Sequence, residues 1–136
     1  MPGLKDIPGT HILRASFPVV MASATTSDEY PGVIVPEDAT IVGVTWTPLA
    51  NVTANGTNYT TVGVRNRGAA AAGTDIIATR SYIATDSVAF TPEAMTLGAA
   101  SVLDVDAGDL LTIRRVHTAS GLAVCAGLIE ISFKFR

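Results

Sequence analysis

Leu128-Ile-Glu-Ile-Ser-Phe-Lys-Phe-Arg136 decides the fold class. Ile129, Ile131, Phe133 and Phe135 fall on one side of an extended chain, and Glu130, Ser132, Lys134 and Arg136 fall on the other. Side chains alternate in this way only along a β-strand, so the segment is a strand with one buried face. A strand reaching the last residue is expected to leave no tail, anchor or appended domain for a separate activity. Function is then expected on the surface of one β-domain.

Outward from this strand, the preceding sequence has the same texture. Leu110 to His117 is a strand expected to form a terminal hairpin with Ala123 to Arg136 about the Ser120-Gly121 turn. Asp75 to Ile83 and Tyr59 to Arg65 are further strands, the latter with Thr60, Val62 and Val64 alternating. Ala39 to Pro48 follows the same rule, with Val42, Val44 and Trp46 expected on the buried face and Trp46 as a core anchor. Asn55-Gly56 is expected to supply the positive φ angles of a tight turn between two strands. Gly68 to Gly73 encloses four alanines, too short a run to nucleate a helix, and reads as a loop. Met95, Leu97, Val102 and Leu103 read as strand residues. Val33 to Val35 is a short strand closed by Pro36, residues 22–32 read as a loop, and Pro18 demotes His11 to Met21 to an edge or bent strand. Pro2, Gly3, Pro8 and Gly9 deny residues 1–10 regular structure, leaving an extended arm. About eight short strands with no long amphipathic helix argue an all-β, jelly-roll-like sandwich. Residues 1–20 would be the arm and edge strand, and residues 21–136 the sandwich.

The totals limit the function classes. At 136 residues the chain is one domain by length, and folding at this size removes roughly 65–70% of the unfolded surface. The hydrophobic share is 48% and the charged share 15%, an apolar excess that hints at buried subunit contacts. A net charge of −3 with scattered basic residues argues against nucleic acid, which calls for a basic stripe. No run approaches a membrane span, and the N-terminus lacks the apolar run of a signal peptide. Cys125 is the single cysteine; it excludes an intrachain disulfide and reads as a buried, inert thiol. Synthesis in a reducing cytoplasm is the expectation, so the sequons at Asn51, Asn55 and Asn58 read as turn sequence.

Candidate chemistry is thin. Asp104, Asp106 and Asp109 place three carboxylates near Gly108, but a helix-loop-helix calcium site needs a Glu where Arg115 stands. The stretch reads as a turn, with a weak cation site as the alternative. His11 and His117 are the only histidines, too few for a zinc site without Cys125 or carboxylates. A dispersed triad using Ser120 or Ser132 stays open on sequence alone. Arg114 and Arg115 point to opposite sides of a strand, one to solvent and the other to a rim or to a carboxylate of a neighbouring subunit, unless both are ordinary surface charges. Tyr30, Tyr59 and Tyr82 are the only candidates for an aromatic binding platform. No metal and no cofactor is expected.

Several phrases carry a family likeness. Ala39-Thr-Ile-Val-Gly-Val-Thr, Val52-Thr-Ala-Asn-Gly-Thr-Asn-Tyr-Thr-Thr-Val, Ile77-Ala-Thr-Arg, Val105-Asp-Ala-Gly-Asp-Leu-Leu-Thr-Ile and Gly121-Leu-Ala-Val together resemble head decoration, or cement, proteins of tailed bacteriophages. The resemblance implies a non-enzymatic virion protein, made in the host cytoplasm, that self-associates as a homotrimer. It implies a place on the outer capsid surface where major capsid subunits meet. The arm residues Pro2, Leu4, Ile7, Pro8 and His11 would then contact the major capsid protein. A tail-fibre or receptor-binding knob is the alternative within the virion class, discriminated by glycan binding of the isolated protein. A small jelly-roll enzyme is the alternative outside it, discriminated by stoichiometric transition metal.

Overall fold

The computed structural model describes residues 9–136; the arm positions Pro2, Leu4, Ile7 and Pro8 lie outside them. Ten strands and one helical turn follow in order: β1 (His11–Phe17), β2 (Asp28–Ile34), β3 (Ala39–Pro48), β4 (Tyr59–Asn66), β5 (Asp75–Ser81), β6 (Glu93–Ala94), β7 (Thr96–Leu97), α1 (Ala100–Leu103), β8 (Asp104–Val105), β9 (Leu110–Thr118) and β10 (Gly127–Phe135). The chain is one antiparallel ribbon doubled back between β4 and β5. From that tip its two arms pair as β4 with β5, β3 with β6 and β8, β2 with β9, and β1 with β10. Successive pairs lie in opposite sheets, β1-β10-β3-β6 in one and β2-β9-β4-β5-β7 in the other. A ribbon rolled in this manner is a jelly roll, and the expected fold class is the observed one.

The two inner faces supply the core. Ile129, Ile131 and Phe133 of β10 are fully buried, as are Val62 and Val64 of β4, Leu111 and Ile113 of β9, and Trp46 of β3. Each such side chain withdrawn from water contributes about 1.5–3 kcal/mol. Phe17 meets Trp46 and Tyr30 edge-on, with ring centroids 5.7 and 6.0 Å apart, the geometry that the ring quadrupoles favour. The edge strand expected near residue 11 is β1, which puts Ala15 and Phe17 into this core.

Five local expectations are corrected. The terminal hairpin does not form: β9 and β10 belong to different sheets, and Gly121, at φ +60°, sends the chain across the sandwich instead. On β3 the buried set is Ala39, Ile41, Val44 and Trp46, while Val42 is exposed. Ser132 pairs with Gly43 and Phe133 with Ile41, leaving Val42 as the extra residue of a bulge that reverses the alternation. Residues 28–32 are strand, not loop; β2 is an edge, where a proline without an N–H is tolerated, and the register shifts between Pro31 and Val33. Gly56 has no positive φ. The Asn55 side chain makes the turn instead, accepting the Thr57 and Asn58 N–H groups at 2.9 and 2.7 Å. Finally, Val102 and Leu103 sit in α1, and residues 93–105 are broken into short pieces, which makes ten strands where about eight were expected.

Candidate functional site

One end of the sandwich is apolar and open. Ser16 to Pro18, Thr47 to Leu49, Phe90 and Ala126 to Leu128 line a groove of about 410 Å³. Leu49 is 54% exposed and Phe90 71%, and Val19, Val20 and Val88 are also exposed large hydrophobic residues near these positions in the chain. Phe90 combines two unfavourable features. Its ring faces water, and its backbone stands at φ +60°, in the left-handed region where a bulky side chain costs roughly 1–2 kcal/mol. Its N–H donates to the Pro48 carbonyl at 2.8 Å, which holds the residue in place.

Beneath this end lies a buried cation. Arg115 is fully buried and grips Asp28 in bidentate fashion, Nε to Oδ1 at 2.9 Å and a terminal nitrogen to Oδ2 at 2.6 Å. Its other terminal nitrogen donates to the carbonyls of Val19, Val124 and Cys125 at 2.9, 3.2 and 3.1 Å. The guanidinium lies 4.4 Å over the Phe17 ring. The carboxylate partner of Arg115 is therefore in its own chain, which corrects the expectation of a rim position or a neighbouring subunit. Arg115 ties the loops flanking the apolar end to β2.

The outer face of the β4–β9 sheet is charged. Glu29 accepts from Arg67 at 2.6 and 3.0 Å, from the Thr112 hydroxyl at 2.6 Å and from Arg65 at 3.4 Å. The Arg67 hydrogen bonds outweigh burial, and with Thr112 and the two positive charges they hold the Glu29 carboxyl at about 2 against its ordinary 4.5. A carboxyl depressed in the folded state stabilises the fold above its unfolded value, and that stabilisation is lost as pH falls from about 4.5 towards about 2. Solvent access to the pair limits the effect to about 1 kcal/mol at most. Glu29→Gln is expected to remove this part of the acid dependence of a urea midpoint; an unchanged slope over that window would refute the assignment.

The remaining sequence candidates disperse. Asp104 accepts from Thr40 at 2.7 Å, Asp106 pairs with Arg136 at 3.2 Å, and Asp109 accepts from Asn66 and from the Asp106 N–H, both at 3.0 Å. Among the described residues no His, Cys, Asp and Glu group is placed to hold a metal ion. His11 stands at the start of β1 with its ring 4.9 Å from Phe135. His117 Nδ1 lies 2.8 Å from the Ser27 hydroxyl, but the adjacent Asp28 is committed to Arg115. The Ser120 N–H donates to the Asn58 side chain at 3.0 Å, and Ser132 sits within β10. Tyr82 is fully buried and Tyr30 and Tyr59 are half-buried against the core, so the tyrosines form no exposed platform. Cys125 is half-buried beside the Ala50 carbonyl, with its sulfur 3.6 Å away. Sequence reasoning missed Phe90, whose sole signal would have been an aromatic in a Ser/Thr/Pro-rich loop.

No protein-family model matches the chain, and no curated protein does. Among solved structures it is similar to a chain in the structure of infectious bursal disease virus Gx strain, at 11% sequence identity and a TM-score of 0.37. The likeness covers 91% of this chain and 32% of that one, so this chain spans about a third of the length of the chain it matches.

Proposed function

We propose that this chain is a non-enzymatic virion structural protein that docks on the outer surface of a capsid and stabilises it. Phe90 carries the reading. The strained backbone of Phe90 costs stability, and its exposed ring gains nothing from burial to offset that cost, which is the mark of a residue that serves a contact. The segment expected to touch the shell, residues 1–20, delivers Val19 and Val20 to the same end of the sandwich. His11, where the described chain leaves the sheet, lies at the far end of β1, about 20 Å away at strand spacing. The arm and the apolar end thus offer two separated contacts, and a small decorating protein gains from both through effective concentration. The resemblance to phage decoration proteins in its turn-and-strand phrases supports the same reading, with the major capsid protein as partner.

Capsid occupancy tests it. Phe90→Asn, which suits the left-handed region, is expected to raise fold stability by about 0.5–1 kcal/mol while lowering occupancy on purified undecorated capsids. Deletion of residues 1–10 is expected to abolish binding with the sandwich still folded by circular dichroism. Full occupancy by both variants would sink the proposal.

A further inference from the structure

We propose that the groove around Arg114 on the outer face of the β4–β9 sheet is a carboxylate-receiving site, and that its occupant is the acidic corner of a second copy of this chain. The inference rests on the reading of the chain as a capsid-docking virion protein, and takes up the self-association that the resemblance to decoration proteins implies.

The groove has more positive charge than its own residues neutralise. Arg65 and Arg114 line it together with Glu29 and Asp28, and Arg67 reaches Glu29 from the neighbouring hollow; Asp28 is committed to Arg115, which leaves Glu29 as the one carboxylate facing three guanidinium groups. Arg67 occupies both Glu29 oxygens. Arg65 reaches Glu29 at 3.4 Å only, and its buried Nε has no hydrogen-bond partner. The Arg114 guanidinium makes no hydrogen bond or ion pair to any described residue; burial, and after it the neighbouring Arg65, disfavours its charged form against the weaker pull of Glu29. A half-buried guanidinium without an acceptor is costly, and an incoming carboxylate would relieve it.

There is room for one. Arg114 stands between two hollows, of about 260 Å³ beside Ser27, Glu29 and Arg65 and about 180 Å³ beside Thr61, Ile76 and Thr79; Val116 lines both. Gly63, paired with Arg114 across the strands, keeps the floor low. A carboxylate side chain fits the first hollow, and the stem of its residue can rest on Val116 and Ile76.

The same chain has the complement. Pairing of β3 with β8 sets Asp104 beside Thr40, and the Asp38 side chain accepts the Ala107 N–H at 2.9 Å. Asp38, Asp104 and Asp106 are thereby brought together, all exposed, and answered by Arg136. This corner belongs to the β3–β10 sheet and the groove to the other, so contact between them is head-to-tail, the kind that closes into a ring when the rotation permits.

Sedimentation equilibrium of the full chain tests the pairing, with circular dichroism confirming the fold of each variant. Wild type is expected to self-associate, more weakly as salt rises. Arg114→Glu, and separately Asp104→Arg with Asp106→Arg, are each expected to lose about 100-fold or more in self-affinity through like-charge contact. The triple variant, with both surfaces reversed, is expected to recover the oligomer. A monomeric wild type, an Arg114→Glu protein that associates as before, or a folded triple variant that stays monomeric overturns the proposal. Capsid binding by Arg114→Glu separates this inference from the function above: a monomer that still docks, at reduced occupancy, leaves decoration standing on its own.

Discussion

Asp28→Ala is expected to destabilise the fold by about 3–5 kcal/mol, because it takes the carboxylate from a fully buried guanidinium. Arg115 is fully buried, and Asp28 supplies the only carboxylate that it touches among the described residues. The three remaining acceptors, the carbonyls of Val19, Val124 and Cys125, meet one terminal nitrogen and leave the other nitrogens bare. Removing both charges with Arg115→Met and Asp28→Leu is not expected to restore stability fully. In a simple buried pair that exchange is often neutral, but here it orphans three carbonyls at about 1–3 kcal/mol for each that water cannot reach. Guanidinium denaturation measures the loss; an Asp28→Ala stability within about 1 kcal/mol of wild type would show that water entering from the hollow that Asp28 lines replaces the carboxylate.

Trp46→Ala is the second large effect, also about 3–5 kcal/mol. Part of it is the cavity left between the sheets, and part is a chain of hydrogen bonds that starts at the indole. Trp46 Nε1 donates to the Tyr82 hydroxyl at 2.9 Å, Tyr82 to Ser87 at 2.7 Å, and Ser87 to the Glu93 carboxylate at 2.8 Å. Arg80 closes the chain on Glu93 at 3.1 Å and covers the Tyr82 ring at 4.0 Å. Burial pushes the Tyr82 phenol above its ordinary value, so the hydroxyl stays a neutral donor. Trp46→Phe keeps most of the volume and removes only the N–H, and is expected to cost about 1–2 kcal/mol. Equal losses for the two variants would show that packing contributes nothing beyond the hydrogen bond. Trp46 is the only tryptophan, so far-UV circular dichroism is the suitable probe.

The buried face of β10, the span of β3, the alternation of β4 and the position of β5 were legible because each depends on local period alone. The bulge at Val42 was not: it exists because β10 pairs with β3 in a register that leaves one residue over. Arg115 shows the same limit. Two adjacent arginines on a strand must point to opposite faces, and they do, but which of them is buried follows from Asp28 arriving on β2 from 87 residues away.

An all-β chain of short strands with a Trp-anchored core follows from local signals alone, because side-chain period and turn chemistry are properties of neighbours along the chain. Other features have no local signal: the parting of β9 and β10 into opposite sheets, the choice of Asp28 as the partner of Arg115, the outward hold on Phe90 at an apolar end, and an Arg114 guanidinium without a hydrogen-bond partner among the described residues. These depend on which distant strands pair, and pairing is chosen by the burial of whole faces against one another. No single segment encodes that choice.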